Sequence, residues 1–269
     1  MAGDPKLTEQ VRLRGHRGGV ISMHRAFNSY RLGAMNLLIA FSLFLFFVAI
    51  WVLVLPRLCR FWADILAWGL RSLPLHAQLA ISTQHAGRLR LEIPLLRMDP
   101  VLPGSAMWSA TCAVTLLLFG ATFFFSRAFV PIAYFLRVVL GVQLTSLAYF
   151  FLWPSRFPHS PDSYMETLLD SGIGIITAIP LLFGLTYYIF DFGLLRKAFL
   201  TALTMAYLSL FLPLQILLQA MVLQKSLLFM PPLYIVFGMP LDVLIIISFY
   251  SWGMSWSFRT TQRNRFSAG

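Results

Sequence analysis

The sequence predicts an all-α integral membrane protein of about six transmembrane helices, with both termini inside. A small outer loop is expected to carry an interfacial amphipathic helix and a β-hairpin. Three observations predict this. The 269 residues are 58% hydrophobic and only 12% charged, with mean hydropathy +0.75, whereas soluble domains average about 25% charged residues. Twenty-five Phe stand against three Lys, as suits a chain whose solvent is lipid. Several runs of 20 or more largely apolar residues follow one another, the length that crosses a bilayer as helix.

Residues 1–33 form a basic tail punctuated by Gly15, Gly18 and Gly19. The first span is expected at 34–55. It is too long for the apolar core of a signal peptide and lacks a small-residue cleavage site, so it reads as a signal anchor. Residues 56–105 make the one sizeable extramembrane segment. Within 57–73, Arg57, Arg60, Asp64 and Arg71 fall on one helical face and Leu58, Phe61, Trp62, Ile65, Leu66 and Leu70 on the rest. That pattern reads as an amphipathic helix lying in the outer interface. Leu79 and Ile81, then Leu89, Leu91 and Ile93, alternate with polar residues at the period of a half-exposed strand. A turn at 84–87 would close them into a hairpin, which two strands alone stabilise only marginally.

The bundle at 106–253 holds the other five spans. Those at 106–126 and 128–151 meet at Arg127, so they must form a helical hairpin. The next two, at 167–190 and 198–222, are separated by the turn Asp191-Phe192-Gly193. The last runs over 228–253, and a basic tail over 254–269 follows it.

Loop charges set the expected orientation. With the N-terminus inside, twelve basic side chains face three acids on the cytoplasmic side and eight face six on the outer side, as the positive-inside rule requires. The formal net charge of +11 is thereby assigned to topology and to anionic lipid headgroups. No nucleic-acid-binding signature accompanies it, so nucleic acid is not an expected partner. Cys59 and Cys112 are expected at different depths and therefore as free thiols.

Two spans each carry a single charge at matching depth, Arg137 in the third and Asp242 in the sixth. A lone charge at the bilayer centre costs about 2.5–3.5 kcal/mol or more on insertion scales, so such residues face other helices and pair. The sequence therefore predicts an intramembrane Arg137–Asp242 pair, acting first as a lock between spans. Pro240, two residues before the acid, is expected to kink that helix. A second polar group is expected to line an outward vestibule. It comprises Glu166 and Asp170, in series with Asp162, and the pair Gln215 and Gln219, all at spacings of four. Gly172 and Gly174 would allow close helix approach nearby.

No histidine falls inside a span, which argues against haem ligation there. Zincin, serine-hydrolase, phosphate-loop and dinucleotide motifs are missing, and no cofactor or metal is expected. Cys112, Arg137 and His159 do occur in the chain order of the exosortase and archaeosortase membrane transpeptidases. The segment 132–139 resembles their arginine-bearing helix, over about 50 residues in all. That resemblance implies a cysteine transpeptidase, but Cys112 is followed by Ala113-Val114 in place of the family's small-residue turn, and no catalytic roles are carried over. The leading expectation is a non-catalytic membrane subunit of a larger envelope assembly, for secretion, export or biosynthesis, in a bacterial inner membrane. Its partners would be lipids and other membrane-protein subunits. A small transporter or channel built on Arg137 and Asp242 is the alternative.

Overall fold

The computed structural model describes residues 34–86, 89–187 and 193–266. Among them, six helical stretches are long and apolar enough to cross a bilayer, and the chain is an integral membrane protein. The order is α1 Ala34–Ser72, β1 Ala77–Ala86, β2 Leu89–Met98, α2 Ser105–Ala121, α3 Val130–Leu152, α4 Pro161–Thr186 and α5 Leu194–Leu223. A last span follows, split into α6 Met230–Phe237 and α7 Met239–Phe266. The tail at 1–33 and the turns expected at residue 87 and at 191–192 lie outside the described residues.

The largest departure from expectation is α1. The separate interfacial helix at 57–73 does not exist. One helix of 39 residues runs through Pro56. Its buried side chains explain why. Leu43, Phe47, Trp51, Leu55, Cys59, Trp62 and Leu66 recur every three or four residues and form one stripe through both halves. Pro56 removes one backbone hydrogen bond, but packing on both sides of it keeps the helix on course. Two indoles pin the stripe. Trp51 Nε1 donates to Thr177 Oγ1 at 2.8 Å and Trp62 Nε1 donates to the Ser209 carbonyl at 2.7 Å. Thus 57–72 lies against protein, with Arg57, Arg60, Asp64 and Arg71 exposed. At 1.5 Å per residue α1 is about 58 Å long, roughly twice the hydrocarbon thickness, so a good part of it extends beyond the apolar slab.

Helices α1, α4 and α5 pack on one another as the centre of the bundle. At the α4–α5 crossing, a Cβ on Gly172 would meet Leu212 Cδ1 at 2.5 Å, so the helices approach because this residue has no side chain. Gly174 meets nothing within 4 Å and has no such role. Helices α2 and α3 form the expected hairpin through short 3-10 turns at Thr122–Phe124 and Arg127–Phe129, and α3 packs on α6. Helix α4 begins early. Pro161 stands at its first position, and the Ser160 hydroxyl accepts the Ser163 N–H at 3.2 Å.

Strands β1 and β2 pair antiparallel, Ala77 opposite Met98 and Ala86 opposite Leu89, so β1 extends into the residues expected to turn. Ile93, Leu96 and Met98 are buried, with α1 and α4 packed against β2. The Met98 N–H donates to Asp162 Oδ1 at 2.8 Å, and the Leu227 N–H donates to the Val101 carbonyl at 2.9 Å. These bonds hold the hairpin on the end of the bundle where α4 starts and α5 finishes. Helix α7 continues to Phe266, so most of the segment expected as a tail at 254–269 is helical.

Candidate functional site

The sixth span is broken, and the break gathers the polar groups. Gly238 between α6 and α7 is extended, with φ −91° and ψ −154°. A Cβ there would collide with the Tyr234 carbonyl oxygen, so the residue must be glycine. The expected kink at Pro240 is therefore a correction. The proline sits in the first turn of α7, where its missing N–H goes unneeded, and it starts a helix.

A continuous helix would give the Phe237 carbonyl to the N–H of Leu241. Here Leu241 donates to the Gly238 carbonyl at 3.0 Å instead. The freed Phe237 carbonyl accepts from Gln219 Nε2 at 2.9 Å and from Gln215 Nε2. Gln219 Oε1 in turn accepts from the Tyr164 hydroxyl. Gln219 is fully buried and satisfied on both sides of its amide. Gln215, 2% exposed, and Asp242, 4% exposed, are not: Gln215 Oε1 and Asp242 Oδ2 are buried oxygens without a hydrogen-bond partner.

The expected Arg137–Asp242 lock is not formed. Arg137 Nε donates to Thr122 Oγ1 at 3.0 Å and its Nη2 to the Thr122 carbonyl at 3.1 Å. The guanidinium also lies over the Phe123 ring, 4.3 Å from its centre, with Tyr134 at 5.3 Å. The arginine thus ties α3 to the end of α2, where carbonyls left over by the helix terminus are ready acceptors. Asp242 makes no ion pair with any described residue.

The expected vestibule also divides. Gln215 and Gln219 meet at the break, whereas Glu166 and Asp170 are exposed on the outward face of α4. Ser163, Thr167, Gly174 and Thr177 share that exposed face at helical spacing. The hydroxyls of Thr167 and Thr177 donate to their own helix, at the carbonyls of Ser163 and Ile173, each at 2.7 Å. The two carboxylates have no ion-pair partner among the described residues.

The transpeptidase constellation is not assembled. Cys112 lies midway along α2, and Arg137 is bonded beyond its far end, at Thr122, ten residues or about 15 Å along the axis. His159 follows α3, more than twenty residues beyond Arg137, and is exposed beside Phe157. Among the described residues no cluster of three or more metal-ligating side chains occurs.

Sequence reasoning missed two members of the polar clusters and the glycine that makes the break. Thr122 reads as one more residue of an apolar run. Tyr164 reads as an interfacial aromatic. Gly238 was hidden behind the more familiar helix breaker Pro240. The spacing of Gln215 and Gln219 was the one signal that pointed to the break. Comparison with protein-family models, with curated proteins and with solved structures returns no match.

Proposed function

We propose that this chain is a non-catalytic, multi-pass subunit of a larger envelope assembly, such as a secretion, export or biosynthetic machine. It would lie in a bacterial inner membrane with both termini on the cytoplasmic side. The observation that supports this reading is the polar face of α4. Asp170 stands nine residues into a 26-residue membrane-length helix, about 13 Å from its start, and is exposed. A carboxylate facing hydrocarbon is costly, and intramembrane acids are found against other helices or in water-filled cavities. Ser163, Thr167 and Gly174 beside it are the small residues that membrane helix interfaces favour. The face is therefore read as one that another subunit covers.

The test is a photo-crosslinking residue at Thr167, compared with one at exposed Leu185, in native membranes. A discrete protein adduct from position 167 and lipid adducts alone from 185 are expected. Lipid adducts alone from both positions would end the assembly reading. A small transporter remains the second reading, because a broken span with buried unpaired oxygens is the form in which transporters bind ions. Net flux into liposomes separates the two.

A further inference from the structure

We infer that the break between α6 and α7 binds a monovalent, sodium-sized cation through Asp242 and Gln215. This rests on the buried break within the sixth span and is independent of the assembly reading, which rests on the exposed face of α4.

The two orphan oxygens belong to residues that flank the break. Gln215 is anchored at the break by its Nε2, which donates to the Phe237 carbonyl, so its Oε1 lies beside that carbonyl. Asp242 stands five residues further on, in the first turn of α7. Both side chains are more than nine-tenths buried, and both oxygens lack a donor. Buried acceptors are ordinarily satisfied, and the exceptions call for an explanation. Here the neighbouring donors are already committed. Both amide hydrogens of the glutamine pair that reach the break go to Phe237, and the Tyr164 hydroxyl goes to Gln219. Arg137, the cation expected to neutralise Asp242, is held by Thr122.

The charges around the break favour a cation as the missing partner. The negative pole at the end of α6 favours a cation beside it. The donors are hard oxygens, which select alkali and alkaline-earth ions over transition metals. A single carboxylate, with the other donor neutral, favours one positive charge over two.

The experiment measures binding of radioactive sodium to the full chain purified in detergent, in a choline background at fixed ionic strength. The wild type should bind about one sodium per chain, saturably, through these oxygen ligands. Asp242→Asn should weaken binding by about tenfold or more, since it removes the only charge among the ligands. Asp64→Asn, at an exposed acid on α1, should bind as the wild type does. Saturable binding that requires Asp242 supports the site. No saturable sodium binding by the wild type, or equal binding by a folded Asp242→Asn protein, overturns it. Because the wild-type measurement stands alone, misfolding of a variant does not protect the proposal.

Discussion

Several polar residues inside this bundle are placed by the acceptors they can reach. Arg137 illustrates this. A charge count paired it with the one acid at similar depth, but the guanidinium uses its fixed fork on the hydroxyl and carbonyl of Thr122 and stacks on Phe123. Depth along a helix was legible in the sequence; the direction each side chain faces was not, because neither run has a clear amphipathic face. Gln215 and Gln219 were legible as a pair through their spacing of four, and they do converge, on a backbone carbonyl that no side-chain pattern announces. Tyr164 completes that chain of bonds from α4. Replacing it with Phe leaves Gln219 Oε1 buried without a donor. Tyr164→Phe should therefore lower stability by about 1–3 kcal/mol, the cost of an unsatisfied buried acceptor. Thermal unfolding in detergent would show it as a lower midpoint, and an unchanged midpoint would mean that the bond carries no weight.

Among the elements, two behave differently from their composition, each for a packing reason. The first span was expected to end at residue 55, just before Pro56, a residue type that commonly ends a helix. The stripe from Leu43 to Leu66 overrides that local preference, and its period of three to four runs unbroken across the proline. The sixth span shows the reverse. Its run is long enough for one continuous span, yet Gly238 divides it, because an extended backbone there frees the Phe237 carbonyl for two glutamines. The continuity of α1 has a direct test in spin labels at exposed Leu38 and Trp68. A single helix sets these thirty residues, or about 45 Å, apart. A helix bent flat onto the membrane surface after Pro56 would bring them to about 30 Å by the same rise. A distance near the larger value is expected.

For the whole molecule, six membrane-length helices followed from composition and run length alone, because lipid demands about 20 apolar residues per crossing whatever the packing. Which helices lie at the centre did not follow, since lipid-facing and buried surfaces are equally apolar here. Phe46 and Phe47 are neighbours in sequence, one exposed and one in the core. The structure sorts them: α1, α4 and α5 make the centre, the β-hairpin caps one end, and the α2–α3 pair leans on α6. What remains uncovered is the polar face of α4, which the proposed assembly role requires to be an interface. The most direct test is the mass of the protein particle extracted from native membranes into lipid nanodiscs, for the wild type and for Asp170→Leu. The wild type is expected in a particle whose protein mass well exceeds one 30.5 kDa chain, and Asp170→Leu, still folded, in one that has lost its partners. A wild-type particle holding a single 30.5 kDa chain would contradict the account.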